Sequence, residues 1–214
     1  MEVKAPGALT HRQRQAAETQ KLILDAARTL FLETGFGLTT IEAIAARAGV
    51  AVSTIYAIFT NKRGLLKAIR EQWHQTSRAR ERYAEALEET DPARRLSLFA
   101  SATRHQWEQG AAMMAIYTGA AAVDAEAASE LQSALSGRRA NLGHWIEASA
   151  PLFRKDLKPK QMAAIYLALT RPELYLEVVT VWGWSPEEYE RWLTQTLEHQ
   201  FLPLHAAPAS RRDR

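Results

Sequence analysis

The sequence predicts an all-α protein in two parts, an N-terminal three-helix helix-turn-helix domain followed by a C-terminal helical bundle. Three observations carry this. Apolar residues recur at three- and four-residue spacing along nearly the whole chain, which is the period of a helix buried on one face. Glycine and proline are sparse, 10 and 8 of 214 residues, and sit mainly at the borders of those stretches. No run alternates with the period of a strand, and no segment repeats. The length also exceeds that of a single small module and suits two compact parts.

The elements follow in order. His11 to Thr34 is a long amphipathic pattern with Ile23, Ala26, Ala27, Leu30 and Phe31 on one face. Gly35 and Gly37 break it, and Phe36 and Leu38 plug the joint. The next helix is expected to start at Thr39, because Thr39 and Glu42 have the spacing of a capping box. Ile41, Ile44, Ala45 and Ala48 form its buried face, and Gly49 ends it. A further helix runs from about Ala51 to Phe59, with Ile55 and Phe59 inward and Val52, Ser53, Tyr56 and Ala57 outward.

A fourth helix is expected from Asn61 towards Leu87. Thr90-Asp91-Pro92 then opens another with a cap and a proline in its first turn. Gly110 should separate that helix from a short one, Ala111 to Ala122, and Asp124 should open a long one to about Ala150. After a linker at 151–159, Lys160 to Trp182 is expected as a helix bent near Arg171-Pro172, since proline removes a helical amide bond. Ser185-Pro186-Glu187-Glu188 caps the last helix, which runs through Leu202, and the tail from Pro203 is expected to be disordered.

Thr39 to Lys62, TTIEAIAARAGVAVSTIYAIFTNK, is the most specific stretch. Two short helices joined by a tight turn are built to present the second helix to a DNA major groove. The outward side chains of that helix are short or flat and suit close approach to a groove wall. By pattern alone, an ordinary helical hairpin in a core stays open beside the DNA reading.

Composition narrows the alternatives. Net charge is only +3, but residues 1–70 hold ten Lys/Arg against five Asp/Glu, while residues 71–214 hold 17 against 19. A basic front and a slightly acidic back fit nucleic-acid binding by the first part alone. Arg12, Arg14 and Lys21 are expected to extend the contact as a flexible arm. There is no cysteine, so disulfides, thiol redox switches and Cys-ligated metals are excluded. No stretch approaches 18 apolar residues, and the first residues lack the apolar core of a secretory signal, so no membrane span and a cytoplasmic location are expected. No glycine-rich phosphate loop, H-E-x-x-H or G-x-S-x-G is present, and the six histidines are scattered. No catalytic residue, metal site or cofactor is therefore assigned, and an enzyme stands only as a rival class.

The string Ala48 to Leu66, AGVAVSTIYAIFTNKRGLL, resembles the DNA-binding domain of the tetracycline-repressor (TetR) family of bacterial regulators. Gly49, Val50, Thr54, Tyr56, Phe59, Lys62 and Leu65 sit at matching positions, after Thr39-Thr40 and Ile44-Ala45. Ala51, Ala57 and Ile58 depart from the family's usual residues. The first departure removes a helix cap worth about 1 kcal/mol.

The resemblance implies a DNA-binding domain at residues 1–60, with its motif at about 39–59, and a ligand-binding and dimerisation domain at 61–214. Thr40, Thr54, Tyr56 and Lys62 would meet the operator's phosphates, and Thr39 would belong to the same DNA-binding set. Val52, Ser53 and Ala57 would lie at base edges. The partners would be a double-stranded operator, a second copy of the chain and an unknown small-molecule effector. A repressor is expected, with an activator or a ligand-independent DNA-binding protein as the alternative. A mostly apolar pocket would be lined by Thr103, Trp107, Met113, Met114, Tyr117, Trp145, Met162 and Tyr166, residues that suit a plain core equally well. The homodimer would be formed by the last two long helices through Tyr175, Val179, Trp192, Leu193 and Leu197.

Overall fold

The computed structural model describes residues 10–203, apart from the side chain of Gln109, so the expected tail beyond Pro203 lies outside them. Among the described residues every regular element is helical. In chain order these are α1 His11–Thr34, α2 Ile41–Ala48, α3 Val52–Phe59, α4 Lys62–Ser77, α5 Ala79–Glu88, α6 Pro92–Ala121, α7 Ala125–Ser149, α8 Pro159–Leu169, α9 Pro172–Leu176 and α10 Pro186–Phe201. A 3-10 turn, Ala150–Leu152, follows α7, and a π-helical turn, Glu177–Val181, follows α9. No single helix among them is long and apolar enough to cross a membrane.

Packing sorts the chain into two compact units, Met1–Gln75 with Ala112–Leu131 and Thr76–Ala111 with Gln132–Arg214, so far as these residues are described. The unit that holds α2 and α3 thus takes in most of α4, the end of α6 and the start of α7, and is larger than residues 1–60.

In the first unit, Ile23, Ala27 and Phe31 lie one turn apart on α1 and form one stripe of its buried face. They share a core with Ile44 of α2, Ile55 and Phe59 of α3, Leu65 and Ile69 of α4, and Met113, Ile116 and Tyr117 of α6. Each buried Ile, Leu, Phe or Met among them contributes roughly 1.5–3 kcal/mol by leaving water.

Two helix boundaries differ from expectation. One straight helix over 61–87 does not form. α4 stops at Ser77, and Arg78 adopts the left-handed conformation, φ 46° and ψ 31°, before α5 begins. The apolar stripes on either side, Leu65-Leu66-Ile69 and Tyr83-Ala86, belong to the cores of different units, and the break falls between them. Conversely, Gly110 does not separate two helices: α6 is continuous for 30 residues. Glycine inside a helix costs about 1 kcal/mol relative to alanine. Burial of Trp107, Ala111 and Met113 on either side offsets that cost.

In the second unit, Phe99 and Trp107 of α6, Met162 and Tyr166 of α8, and Tyr189, Leu193 and Leu197 of α10 are buried. α8 ends at Leu169, and Pro172 opens α9 at a first-turn position, where its missing amide donor costs nothing.

Candidate nucleic-acid interface

The chain turns through 108° between α2 and α3, within the range of a helix-turn-helix. Gly49 makes the turn at φ 68° and ψ 33°, and its amide donates to the carbonyls of Ala45 and Ala46. Val50 drops onto the core behind the turn. Ala51 offers no side-chain cap to α3. Ile55 and Phe59 anchor α3 from beneath. Ser53, Tyr56 and Ala57, at i, i+3 and i+4, form an exposed stripe, with Ile58 exposed beside them. Val52 and Thr54 are half-buried, so Val52 is less outward than its position in the sequence predicts.

The exit from α3 is the tightest point of the unit. Thr60 sits at φ 63° and ψ −44°, and the Asn61 amide donates to the Phe59 carbonyl at 2.7 Å. This is a γ-turn of the rare, strained hand. The Asn61 side chain accepts from the Gly64 amide at 2.9 Å. A β-carbon on Gly64 would lie 1.8 Å from the Phe59 carbonyl oxygen, so only glycine fits. Sequence reasoning passed over Gly64, whose only local signal is a glycine one turn into a helix.

Two residues expected at the DNA, Thr39 and Lys62, change role. Thr39 does not cap α2. Its side chain is turned inward, 4% exposed, and donates to the Gly35 carbonyl at 2.8 Å while meeting the Thr34 hydroxyl at 2.9 Å. It therefore ties the end of α1 and is unavailable to DNA. Thr40 is the cap, accepting from the Ala43 amide at 3.1 Å. Its hydroxyl proton stays free for an anion in front of α2. The helix starts one residue late because burial of Ile41 and Ile44 fixes its phase.

Lys62 is the second correction. Its ammonium donates to the carbonyls of Phe36 at 2.6 Å, Thr39 at 3.0 Å and Gly37 at 3.2 Å, and lies 4.5 Å over the Phe36 ring. An ammonium has three donors, and all three are used. Partial burial lowers its pKa, against a smaller opposing pull from Asp124. Lys62 thus fastens α4 to the α1–α2 connection.

Most other cations of this unit are also paired. Arg63 binds Asp124 and Glu126, both at 2.8 Å, and Lys67 and Arg70 face Glu130 at 3.4 and 3.6 Å. Asp124 in turn accepts from the Ala127 and Glu126 amides at the start of α7. Those amides and Arg63 hold its carboxyl below the usual value. Arg47 pairs with Glu33. Among the described residues, Arg12, Arg14 and Lys21 enter no ion pair and are exposed. They belong to α1 itself, whose start is a capping box between Thr10 and Gln13. No residue of α1 before Ile23 is buried. The expected flexible arm is therefore, over these residues, about 18 Å of helix at 1.5 Å per residue.

The expected pocket residues divide. Met113 and Tyr117 are buried in the first unit's core and Met114 packs against it. The Tyr117 hydroxyl contacts the Leu66 carbonyl and Glu130. Thr103, Trp107, Trp145, Met162 and Tyr166 lie in the second unit. There the hydroxyls of Tyr83, Thr103 and Tyr166 form a buried cluster at 2.9, 3.0 and 3.3 Å, with Trp145 against the Tyr83 ring. The Trp107 indole donates to the Thr170 carbonyl at 2.9 Å.

The expected interface residues divide too. Tyr175, Leu193 and Leu197 are buried within their own protomer, so they cannot meet a second one directly. Val179 and Trp192 are half-buried. The exposed apolar residues nearby are Val181 and Trp182, 68% and 71% exposed.

A family model described as bacterial regulatory proteins, tetR family, matches residues 23–69. The HTH-type transcriptional regulator TtgR of Pseudomonas putida is 36% identical over 80 residues, 37% of this chain and 38% of that protein. The match to this curated relative thus spans well under two thirds of its length. Among solved structures, NalD is described as the secondary repressor of the MexAB-OprM multidrug efflux pump in Pseudomonas aeruginosa. It matches with TM-score 0.67 and 21% identity, covering 90% of this chain and 100% of that one. FadR of Bacillus subtilis, in complex with stearoyl-CoA, matches with TM-score 0.60 and 18% identity over 83% and 96%. At these identities the likeness is one of fold.

Proposed function

We propose, from the premise that this chain belongs to the tetR family of bacterial regulatory proteins, that it is a homodimeric, sequence-specific transcriptional repressor of the cytoplasm. A small hydrophobic or aromatic ligand, bound in the C-terminal domain at residues 61–214, releases it from a near-palindromic operator. The observation that carries this reading is the α2–turn–α3 unit, with its exposed Ser53-Tyr56-Ala57 stripe above a buried Ile55-Phe59 anchor.

α3 enters the major groove. Ser53 and Ala57 approach base edges, with Val52 at the margin. Thr40, Thr54 and Tyr56 donate hydroxyls to phosphates, which fix register without carrying sequence information. Arg12, Arg14 and Lys21 supply the charge that releases counterions. Two such heads on one operator require a dimer with half-sites about one DNA turn apart, or a multiple of it. Val181 and Trp182, with Val179 and Trp192 beside them, supply the apolar face of that dimer. DNA and ligand oppose each other through one coupling free energy.

The test is selection of fragments from the source genome by the purified protein, followed by footprinting. A protected near-palindrome is expected. Ser53→Ala or Ala57→Ser should alter sequence preference, while Tyr56→Phe should weaken binding on every sequence. Binding that is equal on all duplexes would sink the repressor reading.

A further inference from the structure

Among the described residues of the second unit, three buried side-chain donors have no hydrogen-bond partner, Arg82 Nε, Arg138 Nε and the Tyr189 hydroxyl, and the charge of Arg138 acts on the Tyr189 hydroxyl. The Tyr189 side chain on α10 is fully buried and its hydroxyl has no hydrogen-bond partner among the described residues. Arg138 on α7 spends one terminal nitrogen on the Thr170 carbonyl at 2.7 Å and hydroxyl at 3.0 Å, and its buried Nε has no partner. No carboxylate pairs with Arg138 among the described residues, whereas Arg104 of the same unit binds both Glu108 and Glu190. Arg138 is half-buried, and the Glu173 carboxylate that feels its charge is paired with Arg171, so the buried Nε remains an unfilled donor, which is unfavourable.

The two groups share one field. The charge of Arg138 acts on the Tyr189 hydroxyl, whose pKa burial drives well above the usual tyrosine value, so the phenol stays a neutral donor. Arg138 Nε can only donate as well. What completes both is an acceptor carrying negative charge. The surroundings are aromatic: the Trp107 ring lies 5.2 Å from the guanidinium, and Tyr175 meets Tyr189 edge-on at 5.0 Å. Tyr175 stands on a five-residue helix followed directly by the π-helical turn, a feature frequent at functional sites.

We propose that the effector is an aromatic carboxylate, its anionic group held by Arg138 Nε and the Tyr189 hydroxyl and its ring placed among Trp107 and Tyr175. This rests on the effector-domain reading above and sharpens it, since apolar character alone would not satisfy these donors.

The test titrates the full-length protein with benzoate, cinnamate and 1-naphthoate and with their primary amides, following tryptophan fluorescence and operator release in the same samples. At least one carboxylate should bind, at least tenfold more tightly than its amide. Tyr189→Phe and Arg138→Gln should each weaken the carboxylate about tenfold and leave the amide unchanged. Tyr189→Phe should keep or raise the melting temperature, because it removes a hydroxyl that holds no bond. That variant remains informative if Arg138→Gln fails to fold. Carboxylate binding without operator release would support this site while overturning the repressor coupling. Amides equal to carboxylates, a Tyr189→Phe protein with unchanged carboxylate affinity, or no carboxylate binding up to about 1 mM would overturn the site, even if another compound released the operator.

Discussion

Lys62→Met isolates what the ammonium does, because it keeps an unbranched apolar stem and removes only the charged head. The three hydrogen bonds it ends are 2.6, 3.0 and 3.2 Å long. A bond to a charged group contributes about 1.5–3 kcal/mol, and the cation over the Phe36 ring adds about 0.5–1 kcal/mol. The sum is discounted because Lys62 is half-exposed and the Gly37 carbonyl can take up water. A net loss of about 2–3 kcal/mol is expected, a large share of a domain's usual 5–15 kcal/mol. It should show as a lower urea midpoint with an unchanged slope. Operator affinity measured against salt should keep its log–log gradient, because the ammonium has no donor left for a phosphate. Replacing Arg12, Arg14 and Lys21 with alanine should instead flatten that gradient by up to about 5 per dimer, at about 0.9 per neutralised phosphate, with little change in stability. If Lys62→Met keeps full stability and flattens the gradient by about 2, the ammonium serves phosphate and the fastening role is wrong.

Three further outcomes follow from the geometry. Gly64→Ala should cost about 3 kcal/mol, the upper end for overpacking, since the added carbon meets a backbone oxygen that already accepts the Asn61 amide; wild-type stability in urea would contradict the turn after α3. Asp124 has a folded pKa below its unfolded value, so the folded form binds fewer protons near pH 4. Its contribution is present above that pH and lost as pH falls through the folded value, so Asp124→Asn should flatten the acid limb of an unfolding curve below about pH 4; an identical limb would count against the α4–α7 ion pairs. Trp182→Glu should weaken self-association by about 2 kcal/mol or more, as for a central aromatic anchor, with the melting temperature of the dissociated chain unchanged; sedimentation showing an intact dimer would remove this residue from the interface.

The helix-turn-helix was legible because its signals are local and agree with one another. Apolar positions at helical spacing, a glycine at the turn and an aromatic anchor all lie within Thr39–Lys62. Where a local signal competed with packing, packing decided. Thr39-x-x-Glu42 is the better capping box on paper, yet burial of Ile41 and Ile44 sets the phase and hands the cap to Thr40. Lys62 reads as a phosphate ligand from its position, yet the carbonyls it binds lie 23 to 26 residues earlier in the chain. The exposed charges that remain, on the first turns of α1, lie on the helix that the His11–Thr34 pattern predicts and not on a flexible arm. Their support is a Thr10–Gln13 capping box, which is a weaker sequence signal than the apolar stripe that follows it.

The effector site was the least legible part, and the reason is geometric. The sequence pattern places Met113, Met114 and Tyr117 on a separate short helix after Gly110, lining one pocket with Thr103 and Trp107. Because α6 is unbroken at Gly110, Thr103 and Met113 are separated by about 15 Å of rise, and their side chains serve the cores of different units. A sequence pattern reports which face a residue occupies and says nothing about how far along the axis the core changes. The groups that single out a ligand site were hidden for a related cause. Arg138 reads as one more charge on a polar stretch, and Tyr189 as one more aromatic on a capped helix. What marks them is a hydrogen bond left unmade, and that becomes visible only when the partners of every neighbouring donor are known. The effector assignment therefore turns on Arg138 and Tyr189, because aromatic residues that are fully satisfied or plainly packed are explained by folding alone.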